Sequence, residues 1–217
     1  MRVLVVGAGA QAKLALEAFR ATGEHEVAGL VDLSPENRLV GQSVMGAPVI
    51  GGLGLLDELH VSGVEGAIVA CSSNQQKEEL SSRVLALGLQ LVRAIHPSAV
   101  VSPDAVVGEG ALIQPLAVVQ PLARVGRGVV IQTGTLVSHD CVVEDYANVG
   151  PSATLAGHVR VGRGAYVYSG AIVTPSVSIG AHAKVGAGAV VVRDVPPGAT
   201  VVSVPGRVIA VDEARRA

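Results

Sequence analysis

The stretch LVSHDCVVEDYANVGPSATLAGHVRV at residues 136–161 repeats a simple pattern every six residues. An aliphatic residue stands at every sixth position from residue 101 to residue 191, without one exception. A small residue often stands two positions before it, and a glycine often stands one position after it. The aliphatic positions are Val101, Val107, Ile113, Val119, Val125, Ile131, Val137, Val143, Val149, Leu155, Val161, Val167, Val173, Ile179, Val185 and Val191.

A period of six fits neither the 3.6-residue repeat of an α-helix nor the two-residue repeat of an ordinary strand. Hexapeptide repeats are typical of β-helices, in which three hexads form one triangular coil of about 18 residues. Successive coils stack at the strand spacing of about 4.8 Å, with the aliphatic side chains pointing inward. The chain has no Trp and one Phe, which suits a narrow interior. We therefore predict an all-β parallel β-helix over residues 96–217.

The first 95 residues follow a different pattern, in which short apolar strands alternate with helices. This alternation predicts a small parallel α/β domain over residues 1–95, a truncated Rossmann-like sheet. The predicted strands cover residues 2–6, 27–31, 66–70 and 89–94, and the predicted helices cover residues 13–20 and 75–87.

A glycine-rich loop, Gly7-Ala8-Gly9-Ala10-Gln11, connects the first predicted strand to the first predicted helix. Backbone N–H groups at the start of a helix favour phosphate, so Gly7, Gly9 and Gln11 are candidate nucleotide-binding residues. Asp32 ends the second predicted strand, where it suits a ribose or base contact. A tight strand-to-helix turn without a ligand is the alternative interpretation.

His139 and Asp140 interrupt the repeat at a corner that should face outward. One coil later, at a distance of eighteen residues, stands Gly157, which has no side chain to block a ligand beside the imidazole. An imidazole is suited to general-base catalysis at neutral pH, and Asp140 can fix its tautomer or contact an acceptor amine. The Gly157 N–H is a candidate donor to an oxyanion. The alternative is that His139 is an ordinary surface residue.

Composition excludes several other classes of protein. Sixteen basic and eighteen acidic residues give a formal charge of −2, without a basic stripe for nucleic acid or an anionic membrane. The apolar run at the N-terminus is too short to span a bilayer and has no signal-peptide cleavage region, so we expect a cytoplasmic protein. No cluster of His, Cys and carboxylates has metal-ligand spacing, and we expect His158 and His182 to be surface residues.

The whole chain resembles the bacterial nucleotide-sugar acetyltransferases, which include sialic-acid O-acetyltransferases and bacillosamine and perosamine N-acetyltransferases. The resemblance implies a left-handed β-helix, a homotrimer, acetyl-CoA as donor in the cleft between adjacent β-helices, and a nucleotide-linked amino sugar as acceptor. The matching stretches are VLVVGAGAQAK (3–13), GAPVIG (46–51), AIHPSAVVSPDAVVGEG (94–110), VSHDC (137–141), VGPSATLAGHVRVG (149–162), VGAGAVVVRDV (185–195) and SVPGRV (203–208).

The resemblance also assigns roles to individual residues. It implies that Gly186, Ala187 and Arg207 bind the donor, that Gly7, Gly9, Gln11 and Asp32 bind the nucleotide sugar, and that His139 acts as general base. A segment that caps the β-helix is the alternative for Gly186, Ala187 and Arg207. We also expect Gly157 and Asn148 to line the donor cleft. The chain departs from the family at Ala10-Gln11, where Gly-His is usual, and at Asn148, where some members have a second His. The Asn favours an amino-sugar N-acetyltransferase. Sugar O-acetylation, a non-catalytic or carbonic-anhydrase-like β-helix, and a dinucleotide-binding regulator remain alternatives.

Overall fold

The computed structural model describes residues 1–58 and 63–202, in which an α/β layer precedes a left-handed parallel β-helix. The layer contains a six-stranded sheet in the order β3-β4-β2-β1-β5-β6, parallel except for the β3–β4 pair. Its elements are β1 (Arg2–Val6), α1 (Ala10–Thr22), β2 (Glu26–Asp32), β3 (Ser43–Val44), β4 (Ala47–Gly52), α2 (Leu55–Glu58), β5 (Gly66–Val69), α3 (Asn74–Ala86) and β6 (Gln90–Leu91).

The β-helix is built from two-residue strands separated by four-residue turns, except for the eight residues 192–199 before the last strand. These strands are β7 (Ala94–Ile95), β8 (Val100–Val101), β9 (Val106–Val107), β10 (Leu112–Ile113), β11 (Val118–Val119), β12 (Arg124–Val125), β13 (Val130–Ile131), β14 (Leu136–Val137), β15 (Val142–Val143), β16 (Asn148–Val149), β17 (Thr154–Leu155), β18 (Arg160–Val161), β19 (Tyr166–Val167), β20 (Ile172–Val173), β21 (Ser178–Ile179), β22 (Lys184–Val185), β23 (Val190–Val191) and β24 (Thr200–Val201).

Three parallel sheets form the faces of this β-helix. Face 1 contains β7, β10, β13, β16, β19, β22 and β24; face 2 contains β8, β11, β14, β17, β20 and β23; face 3 contains β9, β12, β15, β18 and β21. Neighbouring strands on a face pair eighteen residues apart, as in Val137 with Leu155 on face 2. We call the turns at 114–117, 132–135, 150–153, 168–171 and 186–189 the 1–2 edge. The turns at 120–123, 138–141, 156–159 and 174–177 form the 2–3 edge.

The core of the β-helix confirms the predicted register. The second residue of each strand points inward, and Ile113, Val137 and Leu155 are fully buried there. Small residues two positions earlier, such as Ala147 and Cys141, are also fully buried at the corners. Each buried aliphatic side chain contributes about 1.5–3 kcal/mol, so the continuous column stabilises every coil.

The α/β layer packs on face 1. The outward-facing Leu112 and Val130 of this face belong to the same apolar cluster as Phe19 of α1. On α3, Glu78 forms an ion pair with Arg163 of the β-helix, and the Asn74 amide donates to the carbonyls of residues 164 and 165. These contacts fix the layer on one side of the β-helix.

The layer differs from the prediction in four elements. Helix α1 begins at Ala10, three residues earlier than expected, because Gly9 already serves as its N-cap. The strands β3 and β4 and the short helix α2 were not predicted. Pairing with β2 stabilises β4, and only a side-chain-free Gly29 leaves room for Ile50 beside it, so this strand depends on a tertiary contact.

The boundary between residues 95 and 96 and the cytoplasmic location both stay predictions. The structure pairs β7 with β10, so the first strand of face 1 already lies at residues 94 and 95. None of the helices within residues 1–58 and 63–202 is long and apolar enough to cross a membrane.

Lys77 of α3 is a buried cation between the layer and the β-helix. Its side chain is 1% exposed and its Nζ has no hydrogen-bond partner among the described residues. Burial lowers the pKa of Lys77 from 10.5 to about 8, although the charge of Cys71 partly opposes this shift. A depression of this size corresponds to roughly 3 kcal/mol of unfavourable free energy while the amine stays protonated.

We predict that Lys77→Met raises the free energy of unfolding by about 2–3 kcal/mol at pH 7, because the buried charge is removed. Between pH 8 and 10.5 the unfolded chain binds more protons at Lys77 than the folded chain does. The stability of the wild type therefore rises with pH in this window, and its difference from the variant shrinks. Urea denaturation followed by circular dichroism at pH 7 and pH 9.5 measures both effects, with the exposed Lys184→Met as control. A difference that is independent of pH contradicts the prediction.

Candidate active site

His139 and Asp140 lie on the 2–3 edge, directly after β14. The His139 Nδ1 is 2.8 Å from the Asp140 Oδ2. Asp140 has a φ of 58°, in the left-handed region, and this turn brings the two adjacent side chains together. A carboxylate accepts a hydrogen bond, so the Nδ1 carries the ring proton and the Nε2 keeps a free lone pair. The His139 side chain is 53% exposed, so this lone pair is accessible to a ligand.

The preceding coil holds the backbone of His139 in place. The His139 N–H donates to the Gln120 Oε1 at 3.1 Å, and the Asp140 N–H donates to the Pro121 carbonyl at 3.2 Å. Sequence analysis did not identify Gln120. Its position could have been found from the register, because Gln114 and Gln120 both follow an inward aliphatic residue and both accept from the backbone of the next coil.

Gly157 lies under the imidazole of His139. A Cβ at this position would stand 2.6 Å from the His139 Cε1 and 2.7 Å from its Nε2. Any larger residue would therefore displace the ring. Glycine is needed to keep the imidazole in this position as well as to leave room for a ligand. The backbone N–H groups of His139 and Arg163, which occupy the same position in other turns as Gly157 does in its own, donate to side-chain oxygens. The Gly157 N–H has no hydrogen-bond partner among the described residues. This edge thus presents a free donor beside a free lone pair.

His158 joins this cluster, although the sequence indicated only a surface corner. Its Nε2 is 3.9 Å from the Asp140 Oδ2, and its ring meets that of His139 edge to face, with centroids 5.2 Å apart. His139, Asp140 and His158 each offer a ligand atom within 4.8 Å of the others. Coil stacking joins residues that the sequence separates, so their spacing along the chain did not indicate this convergence.

The glycine-rich loop lines a recess of about 370 Å³ in the α/β layer, together with the end of β2, the segments that follow β2 and β5, and α3. Gly7 has a φ of 131°, and a Cβ there would stand 2.3 Å from the Ala70 carbonyl oxygen. Gly9, the N-cap of α1, faces open space instead. The 13-residue helix α1 begins at this recess, so its N-terminal dipole favours an anion there.

Asp32 lines the same recess, but its carboxylate already has protein partners. The Ser34 N–H donates to one oxygen at 2.9 Å, and the Ser34 hydroxyl and the Leu39 N–H donate to the other at 2.8 and 2.9 Å. Burial alone would raise the pKa of Asp32, but these hydrogen bonds outweigh it and hold the pKa below its usual value. Asp32 therefore shapes the loop at 33–39. A ribose hydroxyl would have to donate to a carboxylate oxygen that already accepts a hydrogen bond from this loop.

Gln11 connects the recess to the β-helix. Its Oε1 accepts a hydrogen bond from the Gln114 Nε2 at 3.1 Å, and the Gln114 Oε1 accepts from the Thr133 backbone N–H and hydroxyl. Both Gln114 and Thr133 lie on the 1–2 edge. The recess therefore opens beside the 1–2 edge, while His139 lies on the 2–3 edge of the same chain.

The residues expected to bind a donor do not all lie together. Gly186 and Ala187 lie on the 1–2 edge, and face 2 separates them from His139 and Gly157. Asn148 is fully buried beneath the α/β layer, where its Oδ1 accepts from the Gln132 Nε2 at 2.7 Å. A donor contact by Asn148 does not fit this burial, because the layer covers face 1 there. Arg207 lies outside the described residues.

The N-terminal part of the chain is similar to a known protein family. The family model for the PglD N-terminal domain matches residues 2–84. No match is found among curated protein sequences.

Solved structures match nearly the whole chain. PerB from Caulobacter crescentus, in complex with CoA and GDP-perosamine, is 39% identical, with 95% of this chain and 96% of that chain covered and a TM-score of 0.88. The acetyltransferase domain of PglB from Neisseria gonorrhoeae, in complex with acetyl coenzyme A, is 35% identical, with 93% and 96% covered and a TM-score of 0.85. WeeI from Acinetobacter baumannii is 26% identical, with 95% and 99% covered and a TM-score of 0.83.

Proposed function

Because the chain belongs to the nucleotide-sugar acetyltransferase family, we propose that it transfers an acetyl group from acetyl-CoA to the amino group of a nucleotide-linked amino sugar. The observation that carries this proposal is the pairing of the His139 Nδ1 with Asp140 at 2.8 Å, with the ring lying over Gly157. Asp140 orients the imidazole, and the free Nε2 serves as the general base. The match to an enzyme in complex with CoA and GDP-perosamine supports both substrate classes.

The proposed transfer is direct. The neutral amine attacks the thioester carbonyl, and the His139 Nε2 takes a proton as the C–N bond forms. The oxyanion of the tetrahedral intermediate accepts a hydrogen bond from the free Gly157 N–H. The C–S bond then breaks, and the thiolate leaves with the proton from the Nε2. The products are the N-acetylated sugar nucleotide and CoA.

We predict that His139→Ala lowers the rate of acetyl transfer by roughly 100-fold or more, because the general base is lost. The assay supplies acetyl-CoA with UDP-, GDP- and dTDP-linked amino sugars and follows release of the CoA thiol. Sugars whose acceptor groups are hydroxyls rather than free amines, such as sialic acid, test the O-acetyltransferase alternative in the same assay. His182→Ala is the matched control, since it removes another exposed corner imidazole. Near-wild-type turnover by His139→Ala, with an unchanged circular dichroism spectrum, would contradict His139 as the base.

We assign the acceptor nucleotide to the recess lined by Gly7, Gly9 and Gln11, with Asp32 shaping its wall. The N-terminus of α1 and the open space at Gly9 suit the diphosphate. This placement makes residues 1–95 the acceptor domain and residues 96–217 the transfer domain.

Gly9→Glu should abolish binding of the nucleotide-linked sugar, because its carboxylate would occupy the phosphate position. Gly9 has a φ of −90° and nothing within 4 Å of an added Cβ, so the backbone tolerates the change. Isothermal titration calorimetry with GDP- and UDP-sugars measures the effect, and Gly9→Ala is the conservative control. The wild type should bind a sugar nucleotide and no NAD(H). Tight NAD(H) binding would instead favour a dinucleotide-binding regulator.

The surface of face 2 supports the proposal of a homotrimer. Its outward row contains no charged residue, and Val100, Ile172 and Val190 are 64%, 45% and 60% exposed. The remaining members of the row are Val118, Leu136 and Thr154. The α/β layer covers face 1, and the outward row of face 3 contains Arg124 and Arg160, so face 2 is the apolar face open to a second copy.

Three copies that turn face 2 toward a common axis form a closed ring. In such a ring the 1–2 edge of one copy lies against the 2–3 edge of the next. This brings Gly186, Ala187 and the recess at Gln11 of one copy beside His139 and Gly157 of its neighbour. The proposed acetyl-CoA site therefore lies between two copies, and donor and acceptor meet there.

This shared site predicts complementation between two inactive variants. Trimers that mix His139→Ala with Gly9→Glu contain some sites with an intact recess from one copy and an intact His139 from the next. Each trimer that contains both variants has one such complete site out of three, so doubly tagged trimers should show about a third of the wild-type activity. The measurement is acetyl transfer by co-expressed, differently tagged chains purified through both tags. Mixed trimers without activity would show that both parts of the site come from one chain.

A further inference from the structure

Three potential metal ligands converge on the 2–3 edge beside the proposed base. They belong to His139, Asp140 and His158, each of which offers one ligand atom within 4.8 Å of those of the others. The Asp140 Oδ2 lies between the two imidazoles, at 2.8 Å from the first and 3.9 Å from the second. The side chains are 53%, 35% and 60% exposed in this order, so an ion reaches them from solvent.

The β-helix holds these ligands in a fixed relation. Asp140 and His158 occupy equivalent positions on adjacent coils, with φ values of 58° and 62°. The His158 N–H also donates to the His139 carbonyl at 3.1 Å, so the two coils are tied at this point. Binding an ion requires only small side-chain rotations, and a preorganised site loses little conformational entropy on binding.

The donor set identifies the class of ion. Two imidazole nitrogens and one carboxylate oxygen suit zinc, which takes three protein ligands and a water in an open tetrahedral site. Cobalt, nickel and copper accept the same donors, whereas calcium and magnesium prefer oxygen ligands throughout.

We propose that His139, Asp140 and His158 form an inhibitory site for Zn²⁺ and related divalent transition-metal ions. A metal ion on the His139 Nδ1 takes the position of the ring proton, which moves to the Nε2. The Nε2 then has no lone pair with which to accept a proton from the acceptor amine. This inhibition rests on the proposed function, whereas binding of the ion does not.

The first test measures binding by the intact protein without CoA, because a free thiol would compete for the metal. Wild type should bind one Zn²⁺ per chain in calorimetry, and Co²⁺ should give the visible absorption of a tetrahedral ion. His158→Asn should bind at least about 10-fold more weakly, since one of the three ligands is removed. His182→Asn is the matched control, because the His182 ring also lies over a glycine, Gly164, one coil earlier. Equal binding by wild type and His158→Asn would overturn the site.

The second test measures inhibition, with the acetylated product quantified by chromatography. With each rate expressed relative to the same protein's rate without metal, Zn²⁺ should inhibit wild type and His182→Asn equally, and His158→Asn should need at least about 10-fold more metal for half-inhibition. Equal inhibition of all three proteins would overturn the proposal. A protein that binds Co²⁺ at this site but transfers no acetyl group would contradict the proposed function alone, and an active protein without metal binding would contradict this inference alone.

Discussion

The inward column of aliphatic side chains is the constraint on which the rest of this molecule depends. Because Val137 and Leu155 both point into the core, the backbone of each coil is held in register with the next at a separation of eighteen residues. The strand spacing of about 4.8 Å then fixes the vertical distance between corner residues. Every contact at the proposed site, including that of His139 with Gly157, follows from this register.

The same regularity explains why the corners can carry function. The residues at the tips of the turns, such as His139 and Asp140, face outward and do not contribute to the column, so their side chains can vary without loss of the fold. Asp140 and His158 adopt left-handed backbone conformations that recur along the 2–3 edge, as at Leu122 and Ser176. The scaffold thus supplies rigid, repeated positions, and the residue types at two adjacent coils supply the chemistry.

Docking of the α/β layer on face 1 is the second organising contact. It combines the apolar contact of Leu112 and Val130 with polar contacts of α3, in which Glu78 pairs with Arg163 and the Asn74 amide donates to the carbonyls of residues 164 and 165. Lys77, whose Nζ has no hydrogen-bond partner among the described residues, is an unfavourable element in this interface. The polar contacts fix where the layer sits, and Gln11 thereby reaches Gln114 on the 1–2 edge. The uncovered face 2 then lies between the recess and His139, which is why we infer that the complete site needs a second copy.

The sequence by itself determined the β-helix, since sixteen consecutive hexads leave no other period. It also determined that Cys141 points inward and His139 outward, because these follow from counting along the repeat, and it indicated the glycine-rich loop before α1. Only the tertiary structure decided that His158 approaches Asp140, that Asp32 uses its carboxylate on Ser34 and Leu39, and that Asn148 is buried. The physical reason is that a repeat fixes the direction of each side chain within its own coil. Which residues of other coils, loops or the docked layer a side chain contacts depends on its length and conformation and on which face the layer covers.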